Sequence, residues 1–352
     1  MKNKANQTQP ELTQPELTQQ RGVFTISLDF ELYWGFVGKK SIKQYTENLL
    51  GVYSAIPAIL KIFNEYNIHA TWATVGFLFF DTFESLLKST PSRIPKYINS
   101  ELSPYKYIAS ALHADEDELT HFAPSLIKTI SSSVNQEIGS HTFSHYQCLE
   151  KGHDLASFKA DLAAAISIAK KNKLKINSLV FPGNQYNPEY LSVCKELGIV
   201  AFRGNESFWI YKAVDDKNNS LIRRVFRLAD TYINISGQNT YSQTVLSRKF
   251  PFNIPSSRFL RPYSMRLKYL EPYKLRRIKS GLTYAAKSRQ IYHLWWHPHN
   301  FGSNLEKNMH FLKKVLNHYS ILNKTYGMES LNMSELSDRL FIERSRNVYP
   351  RH

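Results

Sequence analysis

A chain of 352 residues is longer than one ordinary domain and has the size of a single α/β barrel with insertions, while 42% hydrophobic and 21% charged residues are globular proportions. Lys and Arg number 45 against 29 Asp and Glu, and the balance of +16 calls for an anionic partner: nucleic acid, anionic lipid headgroups or an acidic glycan. Absent zinc-finger and RNP-type patterns argue against nucleic acid, no run reaches the ~18 apolar residues of a membrane span, and two cysteines, Cys148 and Cys194, exclude a disulfide framework.

Residues 1–20 repeat Thr-Gln-Pro-Glu-Leu and lack a periodic apolar face, so a disordered tail is expected there. They also lack the apolar core of a signal peptide, which with the cysteine count points to the cytosol, with peripheral contact at the inner membrane face as an extension of that reading. Residues 22–29 are short, apolar and β-branched, a buried strand ending on Asp29. A helix follows over 46–66, with Pro57 as a kink or boundary, and then a second core strand from residue 69 that runs into a loop by residue 80. Prolines at 91, 95 and 104 break the pattern of 81–132 into loops and short helices. A third strand over 134–139 delivers His141 and His145; a helix over 154–171, a strand over 178–181, a helix over 188–197 closed by Gly198 and a strand over 199–203 follow. Residues 205–255 are polar and variable and yield no assignment. A basic helical stretch covers 264–287, a last strand covers 291–296 ahead of His297, and a closing helix covers about 304–319. Alternating strands and helices predict an α/β fold with a largely parallel sheet, with one domain over 21–325 and a C-terminal extension over 326–352.

Three strand ends carry reactive side chains: Asp29 with Glu31, His141 with His145, and His297 with His299. Strand ends of one parallel sheet converge on its carboxyl edge, where ligands bind. His141 and His145 have the spacing of two residues on one face of a helical turn, so both imidazoles can reach one small cation such as Zn²⁺. Cys148 would be an alternative third ligand. Each residue also has a structural reading as a turn former, a cap or a packed core residue.

Taken together, these motifs resemble the polysaccharide deacetylase superfamily, also known as the NodB-homology or carbohydrate esterase family 4 fold. The strand Thr25-Ile-Ser-Leu-Asp29-Phe-Glu31 is similar to the family's early acidic motif, and His141-Thr-Phe-Ser-His145 to its His-Ser/Thr-x-x-x-His pattern. Ala70-Thr-Trp-Ala-Thr-Val-Gly76 and Leu294-Trp-Trp-His297 resemble two further motifs in the same order. The resemblance implies a distorted (β/α) barrel of the deacetylase type and a hydrolase acting on carbon–nitrogen bonds. It implies Asp29 as catalytic base, His297 as general acid, and Glu31, His141 and His145 as ligands of a divalent metal, zinc first with cobalt and nickel as alternatives. The expected substrate is an N-acetylated, less readily an O-acetylated, sugar or glycan precursor of a surface polysaccharide, nucleotide-linked or lipid-linked. Trp34 and either Trp295 or Trp296 are candidate sugar platforms, and Asn184, Gln185, His299 and Asn300 candidate substrate contacts. The basic 266–279 segment is the candidate for a diphosphate or anionic lipid surface.

The chain departs from the family pattern at two points. Phe30 stands where a second adjacent aspartate would be, so the acidic ligand must come from Glu31. The Arg-x-Pro motif is reduced to Val180-Phe-Pro182-Gly, leaving Asn184, Gln185, Arg203 or Arg261 to replace the arginine, and Asp230 to orient His297. A catalytically silent glycan-binding protein of the same fold and a basic nucleic-acid-binding protein are the alternatives from other functional classes.

Overall fold

A computed structural model describes residues 20–112 and 117–348. The disordered tail expected over residues 1–20 therefore lies almost wholly outside the described residues. Strand β1 (Val23–Phe30) leads into helix α1 (Thr46–Glu65) and β2 (Ala70–Thr74); three short helices, α2 (Phe83–Leu87), α3 (Pro104–Ala111) and α4 (Pro124–Ser131), precede β3 (Gln136–Ser140). Then α5 (Leu155–Lys171), β4 (Ser178–Val180), α6 (Leu191–Glu196) and β5 (Ala201–Arg203) alternate. The next stretch holds α7 (Leu221–Asp230), α8 (Gln243–Leu246), β6 (Phe252–Asn253) and β7 (Arg258–Phe259). The chain continues through α9 (Glu271–Ser288), β8 (Ile291–Trp296), α10 (Leu305–Tyr326), β9 (Glu329–Ser330) and α11 (Met333–Val348).

All paired strands are parallel, in the order β6-β5-β4-β3-β2-β1-β8-β7, with β9 added beside the start of β1. The order follows the chain around a curled sheet whose two ends, β6 and β7, are not paired with each other. This is the distorted (β/α) barrel expected from the sequence. Its carboxyl edge collects the ends of β1, β3, β4, β5 and β8.

Strand β1 shows how one sequence serves two environments. Phe24, Ile26, Leu28 and Phe30 join the large core between sheet and helices, while Thr25, Ser27 and Asp29 alternate with them and turn into the barrel, all buried. The lower barrel interior is a separate apolar cluster of Val23, Ala73, Val180, Ala201 and Ile291, closed by Met333, Leu336 and Leu340 of α11. Glu137 ties that helix in place: its carboxylate accepts from Thr71 Oγ1 (2.6 Å), Ser178 Oγ (2.7 Å) and the Ser334 backbone N–H (3.0 Å). The stretch expected to form an extension beyond residue 325 is thus built into the sheet through β9 and into the core through α11.

Two local expectations change. Helix α1 runs unbroken through Pro57, which lies on its exposed face. The basic 266–279 segment is divided, with Arg266, Lys268 and Arg276 exposed and two other basic residues turned inward. Lys274 and Arg277 are buried; Lys274 Nζ donates to the Arg261 carbonyl at 2.9 Å and pairs with Glu271 at 2.9 Å.

Candidate active site

The carboxyl edge of the barrel brings Asp29, Glu31, His141, His145 and His297 together. After β1 the chain turns sharply, with Leu32 in the left-handed region at φ 46°, and this turn aims the Glu31 side chain inward. Gly35 makes the room. A Cβ there would sit 2.1 Å from Glu31 Oε1, so any side chain would displace the carboxylate. Glu31 Oε2 lies 2.9 Å from His145 Nε2 and 3.3 Å from His141 Nε2, and Oε1 lies 3.4 Å from His297 Nε2.

His141 and His145 do not ride on a helical turn. They lie in a loop after β3 in which Thr142 (φ 63°) and His145 (φ 57°) both adopt left-handed backbone, an uncommon state for a β-branched threonine. Buried Asp161 of α5 holds this loop, accepting from the backbone N–H of Phe143 at 2.7 Å and of Ser144 at 3.2 Å, and from the Ser144 hydroxyl. From the other side, the N–H groups of Gly76 and Phe77 donate to the carbonyls of Thr142 (2.9 Å) and Phe143 (3.0 Å). Burial pushes the Asp161 carboxyl up to about 6, against these hydrogen bonds.

Among the described residues, Glu31, His141 and His145 are the group whose ligand atoms fall within 4.8 Å of one another, all buried. The donor set fits a divalent cation. His141 Nδ1–H donates to the Val180 carbonyl at 2.9 Å, which leaves Nε2 with its lone pair toward Glu31. His145 Nδ1 faces the Gln147 amide at 3.0 Å, and buried Gln147 Oε1 has no partner. With the amide turned end for end, that oxygen accepts Nδ1–H and His145 Nε2 is free to bind metal as well. Cys148 is buried outside this group, its thiol directed at the Tyr146 carbonyl.

Asp29 is gripped by a residue from another strand. Arg203, at the end of β5, donates Nη1–H to Oδ1 at 2.6 Å and Nη2–H to Oδ2 at 2.7 Å. Its Nη1 also donates to Ser27 Oγ (2.9 Å), its Nη2 to Asn184 Oδ1 (3.0 Å), and its guanidinium lies 4.2 Å from the Trp295 ring centroid. Burial pushes the Asp29 carboxyl up, but the Arg203 charge and hydrogen bonds, helped by His141 and His297, outweigh it and hold the group below the ordinary carboxylate range. For Glu31 burial likewise acts upward, and the surrounding imidazoles, His297 foremost, bring it well below that range. Behind Arg203 a relay continues: His293 Nδ1–H donates to the Ile254 carbonyl at 3.1 Å, and the Ser27 hydroxyl, 2.9 Å away, donates to His293 Nε2.

His297 is partly open, and its Nε2 lies 3.9 Å from Asp29 Oδ2. Asn300 Nδ2–H donates to its Nδ1 at 3.3 Å, which places the proton of the neutral ring on Nε2, facing the two carboxylates. Asn300, expected to touch substrate, therefore sits behind the ring. His299 is buried among Phe36, Tyr45 and His297, and burial, then the neighbouring His297, brings it down to about 3.

Three expected substrate contacts lie elsewhere. Trp34 is buried against Phe77, Phe83 and His121, and its Nε1–H donates to the His121 carbonyl at 2.7 Å, so no face is left for a sugar. Trp296 points outward from β8 into the core between Phe63 and Phe301. Strand alternation instead turns Trp295 into the barrel, on the same side as His297. Gln185 is a buried brace, accepting from Leu149 N–H (2.9 Å) and donating to Glu150 Oε1 (3.0 Å), while Asn184 is kept in the site by its bond to Arg203. Asp230 does not reach His297; it pairs with Arg258 at 2.9 Å. Asp161, Gly35, Gln147 and His293 escaped the sequence reading. Only Gly35, a glycine four residues past the acidic ligand, left a visible mark in the sequence.

Residues 50–202 match the polysaccharide deacetylase family model. No curated protein sequence matches the chain. Among solved structures, a protein assigned as a polysaccharide deacetylase from Mycobacterium smegmatis is similar with a TM-score of 0.58 at 12% identity, over 96% of each chain. Another so assigned, from Pseudomonas aeruginosa PAO1, gives 0.53 at 11% identity over 94% of this chain and 92% of its own. Puue allantoinase gives 0.51 at 11% identity over 97% and 96%. At such identities the structural likeness shows the fold alone. The family match runs from α1 to β5, and over those residues the chain is similar to the polysaccharide deacetylase family, whose fold its solved neighbours share.

Proposed function

We propose that the protein is a metal-dependent deacetylase that removes an N-acetyl group from a sugar or glycan precursor. The observation that carries this reading is the convergence of Glu31, His141 and His145 within ligand distance of one cation, beside Asp29 and His297. Glu31 and the two histidines would hold a divalent metal, zinc first. Bound there, it supplies Lewis acidity toward an acyl oxygen and toward water.

Asp29 accepts the proton of the attacking water. Its lowered pKa keeps it ionised and ready, and the two-pronged contact with Arg203 fixes its oxygens while leaving a lone pair on each. As an imidazolium, with the Asn300 amide turned so that its oxygen accepts Nδ1–H, His297 hands the Nε2 proton to the departing amine nitrogen and is left as the neutral ring. Cleavage of an amide needs that proton, because an unprotonated amide anion is a very poor leaving group. Arg203 is a positioning residue, and its guanidinium supplies what the missing Arg-x-Pro motif would otherwise provide.

Purified protein loaded with Zn²⁺ or Co²⁺ should release acetate from at least one member of a panel of N-acetylated free, nucleotide-linked and lipid-linked sugars. Metal bound at full stoichiometry with no acetate from any member would replace this reading with that of a silent glycan-binding protein.

A further inference from the structure

Next to the candidate centre lies a cavity of about 230 Å³ with a strongly cationic wall, to which Arg227, Arg258, Arg261 and Lys212 contribute. It shares walls with the centre. Asn184, which lines it, bonds to Arg203, and Trp295 and Phe259, which also line it, stand 5.6 Å and 5.9 Å from the His297 ring. A ligand filling the cavity would therefore extend toward Asp29 and His297.

The cations are under-compensated. Arg258 is buried, with Nη1 on Asp230, and its Nε and Nη2 donors make no hydrogen bond of ordinary geometry, the Tyr292 hydroxyl being a neighbouring polar group. Asp230 is shared with Arg277 at 3.7 Å. Arg227 donates to the Ile210 carbonyl and the Asn219 amide oxygen, and Arg261 to Thr231 Oγ1; neither has a carboxylate partner among the described residues. Of the acids in the wall, Asp216 is neutralised by Lys39 at 2.8 Å. Glu206 is buried; burial pushes its carboxyl up, while hydrogen bonding and the Arg258 and Arg203 charges act downward, so it offsets part of the charge of that pair. Buried guanidinium donors without partners cost free energy unless an anion completes them.

Helix α7, which contributes Arg227, is amphipathic in the reverse sense. Arg223 and Arg227, one turn apart, point inward and donate to carbonyls of residues 209–212, whereas Leu221, Ile222, Val225 and Phe226 form one exposed apolar face. Exposed Trp209 extends it, 5.8 Å from Phe226. Exposed Arg224 lies on the same helix beside this face, and exposed Lys212 and Lys217, with Asp215 and Asp216 between them, lie in the loop that leads into it. An apolar stripe with an aromatic residue and a cation beside it complements the boundary between anionic headgroups and acyl chains.

We propose that the arginine cavity is a phosphate subsite for a lipid-phosphate-linked acetylated sugar, and that α7 rests on the anionic bilayer that carries this lipid. The phosphate completes Arg258 and bridges Arg227 and Arg261, the lipid leaves along α7, and the sugar reaches the centre. The identity of the sugar rests on the deacetylase reading; the phosphate and bilayer contacts are measurable without it.

Metal-free protein is titrated with pyrophosphate, so that anion binding at a metal cannot contribute. The wild type should bind, and an R227Q/R261Q variant of unchanged melting temperature should bind at least tenfold more weakly; no binding, or equal affinity, overturns the subsite. A short-chain polyprenyl-phosphate sugar should displace pyrophosphate. Displacement by a nucleoside diphosphate sugar alone, or by neither, overturns the lipid assignment. In flotation with vesicles of phosphatidylglycerol and phosphatidylcholine, the wild type should rise with the lipid and I222D/F226D should stay behind. Equal flotation of both, or a concentration-dependent dimer abolished by I222D/F226D without vesicle binding, overturns the α7 contact. Intact pyrophosphate and vesicle binding with no acetate release would instead count against the deacetylase reading.

Discussion

Arg203 and Asp29 meet through two parallel N–H···O bonds of 2.6 and 2.7 Å, although their strands, β5 and β1, are separated by three others in the sheet. The pair crosses the barrel interior. It is buried, and removing one partner of such a pair costs about 3–5 kcal/mol because the other charge is left unpaired.

Replacing Arg203 with methionine should therefore lower turnover on the order of 10²-fold, the scale of a misplaced catalytic group. Metal content should stay unchanged. The pH profile separates positioning from mere folding: without the guanidinium, burial dominates and the Asp29 carboxyl rises, so the acidic limb of kcat/KM should move to higher pH. An unmoved limb with full turnover would remove Arg203 from the mechanism.

Metal ligands and proton carriers should separate in a thermal-shift experiment. A ligand present at about 100 times its Kd adds about 2.7 kcal/mol to stability. Added Zn²⁺ should raise the melting temperature of the wild type and of D29N, which loses only turnover, and should leave E31Q and H141A unshifted. A Zn²⁺ shift retained in E31Q would exclude Glu31 as a ligand.

Asp161 never touches the proposed metal, yet it fixes the loop that presents both histidines. In D161N one of the two acceptor oxygens becomes a donor and opposes the Ser144 N–H. Metal affinity, measured by competition with a chromophoric chelator, should fall about 10- to 100-fold, as for other groups that orient ligands. Wild-type affinity in D161N would mean that Gly76 and Phe77 hold the loop unaided.

Acid should weaken the fold through His293. Burial, then the nearby Arg203 charge, brings this imidazole from 6.5 down to about 3, so the folded state resists a proton that the unfolded chain accepts. A depressed pKa gives stability that is whole above about pH 6.5 and is lost as pH falls toward the folded value, by about 1.4 kcal/mol per pH unit. Urea midpoints of H293Q should decline less than those of the wild type between about pH 7 and pH 5. Parallel declines would exclude this group as the cause.

The barrel and the five residues of the centre were legible because each rides on the end of an apolar strand, and parallel strands send their ends to one edge. The Arg203 contact was open to view only as one of several arginines, since a pairing across the barrel has no fixed distance in sequence. The choice between Trp295 and Trp296 was within reach: side chains alternate along a strand, so Trp295 must share the inward side with His297. Helix α7 stayed hidden for a different reason. Its arginines face in and its apolar residues face out, so polarity there does not mark the surface.

Gly35 turns the acidic motif into a longer one. A glutamate can stand in for an adjacent aspartate only if its extra methylene has somewhere to go, and here the space is a missing Cβ four residues downstream. In this chain the working motif is then Asp-x-Glu-x-x-x-Gly rather than Asp-x-Glu. A single added methyl, G35A, should push the Glu31 carboxylate out of its place and leave the acid decorative.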